Sequence, residues 1–406
     1  MDLTSYQNMK TKPFFRNYTG IPLNWAMLWF GYLVLSPIYI FPKGMPQPAD
    51  LLLLSGMLPS LGGLFLKSHN KIPMVYLLGG AFACFTFLTN WVNFAFYPDQ
   101  RLALSSLYYP YNFLVFVFVV ALFKQHYPMI KSLTVIGIVI AIISQALWAE
   151  MFPDVGLKRM TGGFKNPNQL AYWALLSTAM LFFLRRYGKF NGFDFFIIAT
   201  VGVIQSLALS KAGIISYAAF LIFMSFGPQI SKLARVVIAL GFVFLIAYIA
   251  FSPQTISNLQ NKIDAFERVA ERLDTIGKEN DDSPEGRGYN RIVNNPEYLV
   301  LGAGEGAFHR FRTWASSNEL HSGFATILFS YGIVGFLLLT FFIYFIVHKQ
   351  PWYCAAIVFS VLLFSVSSQT IRFTHTWVLF GIVYATFICQ KDYIAQKRAE
   401  QQQLSS

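Results

Sequence analysis

The chain has 406 residues, of which 55% are hydrophobic, 17% aromatic and only 12% charged, and its mean hydropathy is +0.49. An ordinary soluble domain carries roughly 25% charged residues, and a disordered chain lacks apolar residues on this scale, so both classes are excluded. The net charge of +12 would point to nucleic acid in a soluble protein, but here its position along the chain matters more than its size.

Apolar blocks of the length that crosses a bilayer as a helix, about 20 residues, recur near 23–42, 51–66, 74–96, 102–123, 133–149, 169–184, 195–209, 212–227, 236–251, 323–347, 352–368 and 375–390. This predicts an all-α, polytopic membrane protein of about 12 transmembrane helices. The chain divides into a cytoplasmic tail (1–22), helices 1–9 (23–251), a large outer loop (252–322), helices 10–12 (323–390) and a second cytoplasmic tail (391–406). The first span follows a short basic stretch and lacks a small-residue cleavage signature, so it reads as a retained signal-anchor. Cys84, Cys354 and Cys389 fall within spans and read as core residues.

Orientation follows from Lys and Arg, which concentrate on the cytoplasmic side of short loops. With both termini inside, sixteen of the 31 bases lie on the cytoplasmic side and seven in the short outer connections; the long loop holds the rest. The excess charge is thus an orientation signal and gives no reason to expect a nucleic-acid partner.

Most of the unusual polar residues then fall outside. Lys158-Arg159-Met160-Thr161-Gly162-Gly163-Phe164-Lys165-Asn166-Pro167-Asn168 leads into the sixth span. Asn166 suits an N-cap and Pro167 the first helical position. Such a terminus attracts anions, and Arg159 and Lys165 add full charges; the plain alternative is a solvated loop with an ordinary cap. Lys211, between two short apolar runs, either snorkels or serves a polar cavity at a helical hairpin.

The long loop begins with apolar residues spaced three and four apart, Ile256 to Ile276, predicting an amphipathic helix. The acidic turn 280–285 lacks further ligands at defined spacing, so no metal site is assigned. Arg287 and Arg291 come next, followed by Leu301-Gly302-Ala303-Gly304-Glu305-Gly306-Ala307-Phe308. No βαβ unit surrounds these glycines, so they predict a tight turn that lets the chain approach closely, not a dinucleotide loop. His321 stands at the outer end of the tenth span, where a neutral imidazole could act as a base. Arg372 and the weaker candidate His375 lie in the last outer turn.

Taken in order, these features resemble the O-antigen ligase and O-antigen polymerase superfamily. The resemblance rests on the basic loop ending in Asn166-Pro167-Asn168, the Ser210-Lys211-Ala212-Gly213 hairpin, the outer loop with arginines, the Gly-x-Gly-x-Gly-x-Phe run, and His321 followed by Tyr331-Gly332-Ile333-Val334-Gly335. It covers roughly 155–380. It implies a bacterial inner-membrane enzyme without metal or cofactor, transferring a glycan from a polyprenyl diphosphate carrier at the periplasmic face. Polymerisation of O-antigen or exopolysaccharide repeats is the first expectation, ligation to lipid A-core the second. Its partners would be the carrier-linked oligosaccharide, membrane lipid, and a chain-length regulator or flippase. By matching motifs, His321 would be the catalytic base, and Arg159, Lys211 and one of Arg287 and Arg291 would bind the diphosphate; from their positions alone, Arg372 beside the apolar spans must either snorkel or pair with an anion such as the diphosphate, and Lys165, Asn166 and Asn168 at the helix start would support that binding. Two positions depart from the pattern: Lys211 replaces a common arginine, giving a point charge without the bidentate fork, and Ser322 follows His321 where Asn is usual. A lipid-linked sugar flippase or transporter is the alternative from another class, but no internal repeat is apparent and the deep parts of the spans lack Asp, Glu, Lys and Arg.

Overall fold

A computed structural model describes residues 23–41, 46–66, 72–151, 159–186, 188–236, 286–311 and 319–405. Helix is the one kind of regular structure among the described residues, which hold no strand, and three helical stretches are long and apolar enough to cross a membrane: Met74–Phe96, Gln100–Trp148 and Gly323–Val347. The predicted ninth span, the amphipathic helix 256–276 and the acidic turn 280–285 lie outside the described residues.

In chain order the helices are α1 (Leu23–Leu35), α2 (Pro48–Leu66), α3 (Met74–Phe96), α4 (Gln100–Ser105), α5 (Tyr108–Met151), α6 (Pro167–Arg185), α7 (Gly192–Ala208), α8 (Lys211–Ser225), α9 (Asn290–Asn294), α10 (Gly323–Val347), α11 (Trp352–Leu363) and α12 (Thr374–Ser405). The predicted fourth and fifth spans are the two arms of α5. They part at His126, whose backbone is non-helical (φ −146°, ψ 47°), beside Pro128, which removes a helix hydrogen bond. The arms fold back on each other: Asn112 on the first donates to the Arg372 carbonyl (2.9 Å), and Gln145 on the second accepts from the Gly163 N–H (2.8 Å) at the same end of the bundle.

Several span edges move. The start of the fourth span is shifted from 102 to Tyr108, because Asp99 caps the separate short helix α4, accepting from the Arg101 N–H. Helix α1 stops at Leu35 rather than running to 42, two residues before Pro37. Helix α12 continues beyond 390 to Ser405, through a run of Ala, Gln, Lys, Arg and Glu with high helix propensity.

Apolar burial centres on aromatic rings. Phe82, Phe116, Phe342 and Trp377, from α3, α5, α10 and α12, form one cluster, with Phe342 stacked on Trp377 (centroids 5.3 Å apart) and Phe116 edge-on to Phe342 (5.2 Å). Phe96, Phe196 and Phe359 are exposed on the outside of the bundle.

The connections sort onto two ends. At one, the N–H of Tyr39 meets the Gly163 carbonyl (2.8 Å), that of Met160 the Leu207 carbonyl (3.0 Å), and the Ser322 hydroxyl the Ser365 carbonyl (3.3 Å). At the other, the Phe190 N–H meets the Gln229 carbonyl (3.2 Å), and Arg186 donates to Gln350. The first end carries Arg159, Lys211, Arg287, Arg291, His321 and Arg372 and is called the site end.

Candidate functional site

The glycine run shapes the site end. Gly302, Gly304 and Gly306 have φ of +93°, +72° and +106°, which L side chains rarely adopt. A Cβ at Gly304 would come within 2.8 Å of Leu102, and one at Gly306 within 2.6 Å of the Arg101 carbonyl. Opposite the run, α10 is interrupted at Gly332 (φ 63°, ψ −173°), which releases helical carbonyls from their usual donors. The loop fills the gap: the N–H groups of Ala303 and Gly304 donate to the Phe329 and Ser330 carbonyls (3.0 and 2.9 Å). Buried backbone in an apolar bundle needs such partners.

The insertion carries Glu305 into the bundle, where it is only 3% exposed. Its N–H donates to Asn90 Oδ1 on α3 (2.7 Å), and the Tyr331 hydroxyl donates to its Oε2 (3.0 Å) while accepting from Asn90 Nδ2 (3.2 Å). Arg372 bridges two carboxylates: Nη1 to Glu305 Oε1 at 3.3 Å and Nη2 to Glu319 Oε2 at 2.9 Å.

These two acids are pushed apart. Burial raises Glu305 above the ordinary 4.5, with Arg372 opposing and Glu319 adding to the rise. Burial also pushes Glu319 upward, but the Arg372 charge, the hydrogen bonds from Arg372 and Gln369, and the neighbouring His321 outweigh it and hold its carboxyl below 4.5. Arg372 is held more firmly protonated, because the two carboxylates overcome its desolvation. Paired carboxyls with opposed shifts are the arrangement from which acid and base roles are assigned.

Four predicted residues gather here. Arg372 sits at the centre. Arg291 is buried and, with Glu305, Glu319 and Gln369, lines a cavity of about 20 Å3, room for about one water molecule. The Arg287 carbonyl accepts from the His321 N–H (3.1 Å). His321 is exposed, next to the Ser322 cap of α10, whose hydroxyl accepts from the Ala325 N–H (3.2 Å).

A second group forms at the start of α6. Asn166 caps it, accepting from the Asn168 N–H (2.8 Å), and Asn168 Oδ1 accepts from Arg159 Nη2 (3.0 Å). Arg159 Nε donates to the Ala208 carbonyl (3.1 Å), where α7 ends at Leu209 in the left-handed conformation (φ 48°). Ser210 then caps α8, and Lys211 is its first residue. Lys165 is exposed and makes no part of this arrangement. The 3-10 turn Phe364–Val366 lies between the groups: α8 packs against it, and Tyr289 donates to the Val366 carbonyl (3.2 Å). His375 lies in the core, its ring nitrogens facing the Tyr32 hydroxyl (3.2 Å) and the Ser177 hydroxyl (3.5 Å).

Sequence reasoning passed over Glu305, Glu319, Asn90 and Tyr331. Two signals were present: Asn90 and Asn93 inside a mostly apolar span, and one carboxylate set between the second and third of three alternating glycines. Comparison with protein-family models and with curated proteins found no match.

Proposed function

We propose that this chain is a bacterial inner-membrane glycosyltransferase with both termini in the cytoplasm. In this reading it takes a glycan from a polyprenyl diphosphate carrier at the periplasmic face, chiefly to polymerise polysaccharide repeat units, without metal or cofactor. The observation that carries the proposal is the convergence at one end of two arrangements. One is a set of side-chain-capped helix starts with Arg159 and Lys211, the setting that favours anions. The other is His321 beside an ionised Glu319 that Arg372 holds in place.

The chemistry asks for both. Cleaving a sugar–diphosphate bond leaves negative charge on the departing diphosphate, which guanidinium and ammonium groups and helix N-termini stabilise. The attacking hydroxyl must lose a proton, and a histidine oriented by a carboxylate is a recurrent base. In this scheme His321 takes the proton as the hydroxyl oxygen bonds to the anomeric carbon and the carbon–diphosphate bond breaks. Arg372 acts through Glu319 and Glu305, so its part is positioning more than direct diphosphate binding.

The deciding experiment incubates the purified full-length protein in lipid nanodiscs with a polyprenyl diphosphate oligosaccharide, in EDTA. A ladder of products supports polymerisation; a single transfer, seen only when lipid A-core is added, marks ligation. His321→Ala should lower the rate by about 10²–10⁴-fold at unchanged protein yield. A wild-type rate in that variant removes His321 as the base, and absence of product from the wild type under both acceptor conditions refutes the transferase reading.

A further inference from the structure

We propose that a groove beside the glycine run is a saccharide-binding site, distinct from the Arg372 cluster and placed to hold the acceptor glycan; this rests on the transferase reading above. The groove is shallow and open to solvent, takes in about 500 Å3, and is lined by Tyr97, Pro98, Asp99, Gln100, Arg101, His309 and Arg310. That volume falls in the range of small-ligand sites, about 300–1,000 Å3. The cavity inside the Arg372 cluster is about 20 Å3, too small for a sugar ring, so a bound saccharide must have most of its body elsewhere.

The lining chemistry favours a polyhydroxylated ligand. Tyr97 is 49% exposed and offers a ring whose electron-rich face attracts the C–H face of a pyranose. Gln100 supplies both donor and acceptor, Asp99 acceptors and Arg101 donors, the mixture that hydroxyl groups satisfy from both sides. Two of these groups already have partners within the groove: His309 Nε2 lies 3.3 Å from Asp99 Oδ2, and the Arg310 guanidinium lies over the Tyr97 ring at 4.9 Å.

Position links the groove to Glu305. His309 and Arg310 belong to the 3-10 turn Phe308–Phe311, which closes the glycine run, and Arg310 donates to the Ala303 and Ala307 carbonyls on either side of Glu305. On the other wall, the Arg101 carbonyl abuts Gly306. A saccharide seated here ends next to the loop that carries Glu305 towards Arg372.

The test presents the full-length protein in nanodiscs to an array of neutral and uronic-acid-containing oligosaccharides, then measures the retained member by calorimetry. Binding should weaken at least tenfold in Tyr97→Ala and in the Gln100→Ala/His309→Ala double variant. Tyr97→Phe, which keeps the ring, and His321→Ala should bind as the wild type does. Two results overturn the proposal: no oligosaccharide is retained by the wild type, or the double variant and Tyr97→Ala bind it unchanged. A signal dependent on these residues from inorganic pyrophosphate and from no oligosaccharide also overturns it, as an anion site. Because binding is read in the His321→Ala protein as well, saccharide binding without any wild-type transfer refutes the transferase reading and leaves the groove.

Discussion

The two ends of the bundle join the same kind of apolar helices by different means. At the end opposite the site, two of the described turns are closed by nearby residues: α5 reverses at His126 and Pro128, and Asn191 and Asp194 form a reciprocal capping box at the start of α7, with Arg185 paired to Asp194 at 3.3 Å. At the site end, a loop enters the bundle, its N–H groups bond to a helix broken at Gly332, and an acid is carried to 3% exposure. The first kind of turn needs only local chemistry. The second exists only when α3, α10 and the turn before α12 are already assembled around it, and it puts ionisable groups where their mutual charge bears on stability.

The most damaging single change should therefore be Arg372→Met. It leaves the buried Glu305 and the partly exposed Glu319 facing each other without their shared cation; breaking a buried pair costs about 3–5 kcal/mol, and the 30% exposure of Arg372 puts the expected loss at the low end of that range. We expect a clear fall in the thermal transition measured in detergent, with transfer lost. If Arg372→Met melts with the wild type, the ion network contributes nothing to the fold and the contrast between the ends fails. Gly332→Ala should come next. Its φ of 63° with ψ of −173° belongs to glycine alone, and a Cβ there would meet the Val300 carbonyl. The strain should cost about 1–3 kcal/mol and dislodge the glycine run, so transfer should fall further than stability does.

The same contrast explains what could be read in advance. Asn166 and Pro167 were legible as a helix start because capping depends on a residue and its next three neighbours. The apolar blocks were legible from length, although their edges shifted wherever a short helix such as α4 or a proline intervened. Glu305 was hidden because its meaning lies in Asn90, Tyr331 and Arg372, which are 215, 26 and 67 residues away. Arg372 could be singled out as a membrane-boundary cation, but its two carboxylate partners could not. The three glycines announced a close approach without saying what they approached.

Titration separates the two acids of the site. Glu305 binds its proton more tightly folded than unfolded, so its contribution to stability falls as pH rises above 4.5 towards its elevated value. Glu319 works the other way: its contribution is present above 4.5 and is lost as pH falls through its depressed value. Glu305→Gln should thus remove the decline on the alkaline side of 4.5 and leave the acid limb in place. Thermal transitions recorded from pH 4 to pH 8 check this. An unchanged alkaline slope would mean that Glu305 does not titrate in this range and that its burial is compensated in full.

The smallest effect should come from the opposite end. Asn191 Oδ1 accepts from the Asp194 N–H at 2.9 Å, and Asp194 returns the bond to the Asn191 N–H at 3.0 Å. Removing such a cap costs about 1 kcal/mol, and the residual Asp194 still sits at a helix start where its charge is favourable. Asn191→Ala should lower the thermal transition slightly and leave transfer at the wild-type rate, since no bond of the box reaches the site end. The informative quantity is the ratio of the two losses. A cap variant whose activity falls as far as that of Gly332→Ala would mean that α7 transmits its frayed start along its length to Ala208 and the Arg159 group, and the two ends would have to be treated as one mechanical unit.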